Sequence, residues 1–313
     1  MKKIFCMLTG GLGNQLFQYA AALDRDSDLV ILETSLGIPR SNEHGEPIIS
    51  DFILDERVVF SKTREKFFLA SKCANYLLRS GINPKFFEKF KFFNMFTNLL
   101  GSIVISLWLR NAVRVIQATN LGFFKIESSN RDELHLGYFQ SFLWSENPKT
   151  NLRLKSISLK VAPDSLKKFL NQNTGKKSVC MHVRLGDYKN QPGFGLLPET
   201  YYASAIKNLM EKSSFDVIWL FSDEPQDAVK MIPEEYLGIT VLVPDFEDSA
   251  SATLEAMRHA SAYIIANSSL SWWGARLSHA TNPIVIAPQP WFQNDPEPIS
   301  IIPNEWLCIK AWG

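Results

Sequence analysis

The chain has 313 residues, of which 46% are hydrophobic and 21% charged, and its formal net charge at pH 7 is +1. This length exceeds that of a typical single core, so we expect two domains, residues 1–160 and 161–313. The small net charge and the lack of any recognition-helix or RNA-module signature argue against a nucleic-acid partner.

The first predicted elements form a βαβ unit with a glycine-rich loop after its first strand. Lys3–Leu8 predicts a strand, Gln15–Leu23 a helix and Leu29–Glu33 a second strand. The first apolar run stops at the loop Thr9–Asn14, too early for a signal peptide, and no cleavage-type site follows. Residues 34–60 contain prolines and glycine and predict an irregular excursion.

Residues 61–95 differ in composition, with eight basic and two acidic residues among phenylalanine and tyrosine. They favour broken helices with solvated basic faces over an aromatic core. The sharper alternative is a basic, aromatic surface on an anionic membrane face. The apolar stretch 96–109 is shorter than the ~20 residues that a membrane span requires. We therefore expect a cytoplasmic protein, and contact with the inner membrane face would be peripheral.

Strands and helices alternate from residue 113 onward. Strands are predicted at Val113–Gln117, Leu134–Tyr138, Val179–Val183, Asp216–Phe221, Thr240–Val243, Tyr263–Ala266 and, as the last strand, Ile284–Ala287. Helices are predicted at Pro163–Leu170, Pro198–Lys212, Pro225–Met231, Ala252–His259 and Ser271–Leu277. This alternation predicts an α/β fold with parallel, doubly wound sheets, and two Rossmann-like halves would face a binding cleft.

The segment His182–Tyr188 is the most informative in the chain. The apolar strand before it delivers His182, Arg184 and Asp187 to its carboxyl end, where open α/β sheets bind ligands. An arginine there suits a diphosphate, because the guanidinium is always charged and donates to two oxygens at once. The structural alternative is an ordinary ion pair between Arg184 and Asp187 that closes the loop.

Three further loops follow predicted strands. Gly11 and Gly13 allow a close approach of backbone to an anion at a helix N-terminus, although their spacing is not the dinucleotide fingerprint. Asp223 is either a helix cap or a ligand acceptor, and the cap is favoured. Ser268 and Ser269 place hydroxyls at a helix N-terminus, which suits a phosphate, and the alternative there is a simple serine cap.

No metal site is expected from the sequence. The histidines form no cluster along the chain and no zinc-type spacing occurs. Asp24 and Asp26 form a DxD triplet, but it lies at a helix end rather than after a strand. Positive side chains and helix dipoles would then stabilise a departing diphosphate. Cys6 and Cys180 lie in apolar runs and predict buried free thiols.

Several of these segments, in their order and spacing, resemble the bacterial α-1,2-fucosyltransferases of glycosyltransferase family 11. The segments are Gly10–Ala20, Gly137–Ser141, His182–Tyr188, Phe221–Glu224 and Ile265–Gly274. The resemblance implies a GT-B-like fold and inverting transfer of L-fucose from GDP-β-L-fucose to the 2-hydroxyl of a terminal β-galactoside, without a metal cofactor. Such a reaction belongs to surface-glycan or O-antigen synthesis, where the acceptor glycan can be lipid-linked.

The resemblance also implies roles for individual residues. Arg184 corresponds to the first arginine of the family's His-x-Arg-Arg-x-Asp-Tyr motif, which implies that it binds the β-phosphate. Asn14 and Gln15 would lie near donor and acceptor. The nucleotide would be held by Asn267, Ser268 and Ser269. Asp187 is the nearest candidate for a general base, or it only orients Arg184.

The chain departs from the family pattern at two positions. Leu185 replaces the second arginine of the motif, which keeps open a donor such as GDP-colitose. Thr253 replaces an acidic residue, and Glu255 is a candidate substitute at guanine. Two other functional classes fit the sequence less well. A nicotinamide oxidoreductase could use Glu33 but lacks the glycine spacing, and a carbohydrate-binding module would need no arginine in a phosphate-type site.

Overall fold

The structure is a computed structural model that describes residues 1–34, 39–61, 113–118 and 121–312. The chain divides into two compact units. Unit 1 comprises residues 1–50 and 54–157, and unit 2 comprises residues 51–53 and 158–313. The basic segment 61–95 and the apolar stretch 96–109 lie almost entirely outside the described residues, so the predictions made for them stay predictions. Among the described residues, no helix has the length and apolarity needed to cross a bilayer.

The regular elements of the described residues are numbered in chain order. The strands are β1 (Lys3–Met7), β2 (Leu29–Glu33), β3 (Phe52–Ile53), β4 (Val58–Ser61), β5 (Arg114–Gln117), β6 (Glu133–Leu136), β7 (Ser158–Leu159), β8 (Ser178–Val183), β9 (Val217–Ser222), β10 (Thr240–Leu242), β11 (Ala262–Ile264), β12 (Ile284–Gln289) and β13 (Leu307–Lys310). The helices are α1 (Leu12–Leu23), α2 (Pro148–Lys155), α3 (Asp164–Gln172), α4 (Glu199–Lys212), α5 (Pro225–Ala228), α6 (Ala250–Arg258) and α7 (Ser269–Arg276).

Most of the predicted elements are confirmed, and the differences have local causes. Helix α1 begins at Leu12 rather than Gln15, because the extended backbone of Gly11 already serves as its N-cap. The excursion predicted for residues 34–60 contains most of β4, which pairs with β2. The strand at Ile284 is not the last one, since β13 pairs beside it. Beyond α5 the predicted helix tightens into a 3₁₀ turn.

Unit 1 is built on a parallel sheet with the strand order β4-β2-β1-β6-β5. From β1 the chain runs outward through β2 to β4 on one side of the sheet. On the other side it enters at the edge strand β5 and then forms β6 next to β1. The boundary between β1 and β6 is therefore a topological switch point, where loops diverge and leave a crevice. Helix α1 connects β1 to β2 and is buried along almost its whole length, so its polar side chains need partners inside the unit.

A buried ion pair joins the end of α1 to β6. The Arg25 guanidinium donates to both carboxylate oxygens of Glu133, at 2.9 and 2.8 Å, and His135 contacts the same carboxylate at 3.0 Å. Burial alone would raise the pKa of Glu133, but the hydrogen bonds from His135 and Arg25 hold it well below its usual range. Arg25, the middle residue of the DxD triplet, therefore pairs with a buried carboxylate. Asp24 accepts a hydrogen bond from Thr150.

Unit 2 is built on a parallel sheet with the strand order β10-β9-β8-β11-β12-β13. Counted within the unit, this is the 3-2-1-4-5-6 order of a Rossmann fold. Strand β8 is buried at every position, as a central strand covered by helices on both faces should be. The switch point lies between β8 and β11, and ligands of such sheets bind outside the carboxyl ends of those two strands.

The cores of both units confirm the predicted thiols. Cys6 in β1 and Cys180 in β8 are fully buried and free, and burial raises the pKa of both thiols. Both behave as small apolar side chains rather than as nucleophiles.

Candidate functional site

Arg184 lies immediately after β8 and is held by two carboxylates. Its Nη2 is 2.7 Å and its Nε 3.1 Å from Asp187 Oδ1, and its Nη1 is 3.1 Å from Asp223 Oδ2. The arginine side chain is 23% exposed, so the guanidinium is oriented by the protein and still faces solvent. The ion pair expected as the structural alternative is present, and the two carboxylates leave guanidinium hydrogens available for an anion.

Asp223 does not cap a helix, which corrects the favoured prediction for it. Glu224 occupies the N-cap position of α5. Asp223 instead accepts a hydrogen bond from the Leu185 backbone nitrogen at 3.0 Å, while its other oxygen pairs with Arg184. A Cβ atom at Gly186 would lie 2.4 Å from that second oxygen. One carboxylate on the neighbouring strand therefore fixes both the backbone and the arginine of the loop.

Tyr188 connects the loops on the two sides of the switch point. Its hydroxyl donates to the Asn267 carbonyl oxygen at 2.9 Å, and Asn267 follows β11. Its ring lies beneath Arg184, with 5.6 Å between the guanidinium carbon and the ring centroid, which is a favourable cation–π distance. The loop after β8 that carries Arg184 (the arginine loop) is therefore hydrogen-bonded to the loop after β11 that carries Ser268 (the serine loop).

Helix α7 begins at this edge of the sheet with two serines. Ser268 is the N-cap residue in extended conformation, as the serine-cap alternative predicts, but within the described residues its side chain makes no capping hydrogen bond. The first N–H groups of a helix have no partner inside it, and the helix dipole makes that end positive. Ser268, Ser269 and these N–H groups therefore offer donors to an anion beside the arginine loop.

The Asn267 side chain holds a loop rather than facing outward. It is only 2% exposed, and its amide nitrogen donates to the carbonyl oxygens of Phe194 and Gly195 at 3.0 and 3.3 Å. Both amide hydrogens are therefore committed to the protein. The amide nitrogen thus anchors the loop at Phe194 and Gly195, and the part expected of Asn267 in holding the nucleotide stays a prediction.

His182 is buried, and its electrostatics argue against a role as general base. Burial and, to a lesser extent, the positive charge of Arg184 lower its pKa to about 3. The imidazole is therefore neutral at physiological pH and accepts a proton poorly. Its Nδ1 is buried without a hydrogen-bond partner among the described residues. Asp187, whose side chain is 46% exposed, is the better candidate base.

The glycine loop of unit 1 surrounds the other switch point. Gly10 has φ +74°, and a Cβ there would lie 2.7 Å from Asn14 Nδ2, so the turn requires glycine. Gly11 is partly exposed at the helix start, whereas Gly13 is buried within α1. Asn14 is partly exposed and accepts a hydrogen bond from Gln140 at 2.8 Å. The loops after β1 and β6 therefore meet here.

Gln15 has a structural role, which corrects its predicted contact with the donor. It is fully buried, and its amide donates to the carbonyl oxygens of Gly10 and Arg40 at 2.9 and 3.0 Å. Its Oε1 accepts a hydrogen bond from the Ile49 nitrogen at 3.0 Å. Gln18, which the sequence did not single out as a site residue, is equally buried and bridges the loops that follow β1 and β6.

The positions that depart from the family pattern have clear surroundings. Leu185 is 4% exposed and packs in the hydrophobic core of unit 2. Glu255 has both carboxylate oxygens engaged, by Arg258 on one and by His259 and His279 on the other. The carboxylate suggested for guanine is thus already occupied. The two histidines form a cluster that their sequence spacing did not reveal.

Known proteins are similar to this chain along almost its whole length. The sequence model of glycosyl transferase family 11 matches residues 3–310. An α-1,2-colitosyltransferase of Escherichia coli is 26% identical over 320 residues, covering 99% of this chain and 100% of that protein. The O-antigen biosynthesis glycosyltransferase WbnK of Escherichia coli is 26% identical over 300 residues, covering 92% and 95%.

Among solved structures, the fucosyltransferase NodZ from Bradyrhizobium has a similar fold. It aligns with a TM-score of 0.51 and 12% sequence identity, covering 88% of this chain and 92% of that chain. This likeness concerns the fold alone. Together with the two parallel sheets, it confirms the expected α/β, GT-B-like class.

Proposed function

Because this chain belongs to glycosyl transferase family 11, we propose that it transfers L-fucose from GDP-β-L-fucose to the 2-hydroxyl of a terminal β-galactoside. The observation that carries the proposal is the oriented Arg184 beside the N-terminus of α7, at the switch point of a Rossmann-type sheet. This combination suits the diphosphate of a nucleotide sugar. Unit 2 would bind the donor and unit 1 the acceptor.

The reaction proposed for this site breaks the bond between the anomeric carbon and the GDP oxygen. The acceptor hydroxyl attacks from the opposite face through an oxocarbenium-like transition state, which inverts the configuration. Negative charge develops on the leaving diphosphate, and Arg184 and the first N–H groups of α7 stabilise it. Asp187, exposed at the loop, would take the hydroxyl proton or keep Arg184 in place.

A second donor, GDP-colitose, is favoured by a specific observation. The α-1,2-colitosyltransferase relative matches the chain over 99% of its length. Position 185, where the family motif has a second arginine, is here a core leucine. Colitose is also a 6-deoxyhexose, so the same phosphate-binding residues would serve both donors and only the sugar contacts would differ.

The test is a transfer assay with purified protein and a panel of GDP-sugars. GDP-fucose and GDP-colitose are each supplied with a β-galactoside, and the product linkage is determined by NMR. We expect an α-1,2 product with GDP-fucose, none with a 2-deoxygalactoside acceptor, and none from an Arg184→Ala variant that retains the wild-type circular dichroism spectrum. Faster turnover of GDP-colitose would establish the second candidate. A lack of transfer from every GDP-6-deoxyhexose would refute the proposal.

Transfer is proposed to need no added metal and to use acceptors of the O-antigen type. Turnover in EDTA at 25 °C should equal turnover in buffer with Mg²⁺ or Mn²⁺. Peripheral contact with an anionic membrane remains a proposal based on the composition of residues 61–95. Co-sedimentation with anionic and neutral liposomes tests it, and equal binding to the two would count against it.

A further inference from the structure

Three side chains of unit 2 bring metal-ligand atoms together away from the arginine loop. Glu255 lies in the last turn of α6, His259 directly follows that helix, and His279 lies between α7 and β12. One ligand atom from each lies within 4.8 Å of the others. Glu255 Oε1 is 3.3 Å from the Nε2 atoms of both histidines.

The framework beneath these three side chains is buried and rigid. Arg258 is 1% exposed, and its Nη1 is 2.7 Å from the Glu255 oxygen that does not face the histidines. Its Nε donates to the Leu277 carbonyl, and its own carbonyl accepts from the His279 backbone nitrogen at 2.9 Å. The arginine therefore orients the carboxylate and also holds His279 in place, as outer groups do around metal ligands.

The two distances from Glu255 and the donor types fit one class of cation. In a tetrahedral zinc site with bonds of about 2.0–2.1 Å, neighbouring ligand atoms are about 3.3–3.4 Å apart. The two distances from Glu255 to the histidines match this spacing. Two imidazoles and one carboxylate favour Zn²⁺ over Mg²⁺ or Ca²⁺, which prefer oxygen ligands alone. We propose that Glu255, His259 and His279 bind a Zn²⁺ ion whose fourth ligand is water.

The position of this cluster indicates a stabilising function. Helix α6 ends, and β11 and β12 begin, at the amino edge of the parallel sheet, whereas Arg184 and Ser268 lie at its carboxyl edge. A bound ion would join the end of α6 to the segment before β12. It would take no part in sugar transfer, so this proposal does not depend on the proposed function. Both histidine side chains are partly exposed, at 41% and 44%, which gives the ion access from solvent.

The proposal is tested by metal titration of tag-free, EDTA-treated protein. Isothermal calorimetry with Zn²⁺ should give one site per chain in a Cys308→Ser background, which removes an exposed free thiol. His259→Ala and His279→Ala should each lower the affinity at least tenfold. Zn²⁺ should raise the thermal unfolding midpoint of the parent protein but not of these variants. His44→Ala, a change at an exposed histidine of unit 1, is the matched control and should bind like the parent.

A second readout separates a built site from scattered surface binding. Co²⁺ bound by these three residues and water should give the strong visible absorption of a tetrahedral site, and His279→Ala should abolish it. Failure to saturate with Zn²⁺, or affinities unchanged in both histidine variants, would overturn the proposal. The cluster would then be two imidazoles hydrogen-bonded to one carboxylate. Transfer by His279→Ala at the parental rate agrees with a stabilising ion, and a lost rate at unchanged stability contradicts it.

Discussion

The hydroxyl of Tyr188 lies 2.9 Å from the carbonyl oxygen of Asn267, and this hydrogen bond joins the loops that follow β8 and β11. In the proposed function both loops surround the diphosphate at the switch point, because one supplies the arginine and the other the helix N-terminus. Their relative position is therefore set by a tyrosine that need not contact the ligand.

Tyr188→Phe removes the hydroxyl and keeps the ring beneath Arg184. Loss of one hydrogen bond of about 1 kcal/mol should raise the KM for the GDP-sugar about fivefold, with a smaller effect on kcat. Tyr188→Leu also removes the cation–π contact and should have a larger effect. Steady-state kinetics at varied donor concentration measures both variants. Wild-type kinetics for Tyr188→Phe would show that the loops are held by other contacts.

Arg184→Lys should lower kcat/KM by about 10²-fold, because loss of a preorganised charged donor costs this order in transition-state stabilisation. A lysine ammonium places its three donors on one nitrogen, so it lacks the planar fork that spans Asp187 and Asp223 and keeps further hydrogens for a phosphate. Arg276→Lys, at an ion pair with Glu305 in the same unit, is the matched control and should stay within about twofold of wild type. Equal activity of the two variants would remove Arg184 from the proposed mechanism.

Asp223→Asn tests whether that carboxylate acts through Arg184. Asparagine can still accept from the Leu185 nitrogen, but its amide cannot pair with the guanidinium. We expect the donor KM to rise about tenfold, the order that loss of a hydrogen bond to a charged group produces. In an Arg184→Ala background, which is expected to lack turnover, the same change should cost no further affinity for GDP when binding is measured by calorimetry. Additive losses in that cycle would mean that Asp223 acts independently. Asp227→Asn, on the exposed pair with Lys230, is the control.

Gln18→Leu should destabilise unit 1. The side chain is fully buried, accepting from the Thr9 nitrogen and donating to the Gly137 carbonyl, both at 3.0 Å. Leucine leaves two buried backbone groups unpaired, which costs about 2–4 kcal/mol in the free energy of unfolding. Urea denaturation measures the loss, and Gln226→Leu on an exposed turn of α5 is the control. Equal midpoints for the two variants would show that water replaces the lost bonds.

His182 should make the protein sensitive to mild acid. Its pKa falls from 6.5 to about 3 on folding, so below pH 6.5 the unfolded chain binds a proton that the folded chain does not. Stability is complete above pH 6.5 and declines as the pH falls towards 3. Between pH 7.5 and 5 the loss from this one residue is about 2 kcal/mol. Urea unfolding of His182→Gln should show a correspondingly flatter pH profile, and profiles parallel to wild type would contradict the assignment.

The sequence was sufficient to place most strands, because buried parallel strands are short apolar runs followed by polar loops. It also identified the loops at both switch points, since glycines, hydroxyls and Arg184 follow those runs directly. It could not reveal β13, whose alternate residues are exposed at the sheet edge. The edge strand therefore lacks the continuous apolar run of its neighbours.

The site residues were harder to assign than the loops that carry them. Asp223 has the sequence context of a helix cap, and only strand pairing shows that it lies beside Arg184. Gln15 and Asn267 occupy loop motifs but use their amides inside the protein. His259 and His279 are 20 residues apart in the sequence. Their rings come into contact because the segments that follow α6 and α7 lie side by side. Contacts between distant segments depend on packing that local pattern does not encode.

The close approach of Asp223 to the Cα of Gly186 also limits how the sequence can vary over evolutionary time. Any side chain at position 186 would need the space that the carboxylate oxygen fills. Any replacement at position 223 that withdraws this oxygen would leave Arg184 paired with Asp187 alone. Positions 186 and 223 are 37 residues apart in the sequence. In descendants that retain the function of Arg184, we therefore expect these two positions to change together or not at all.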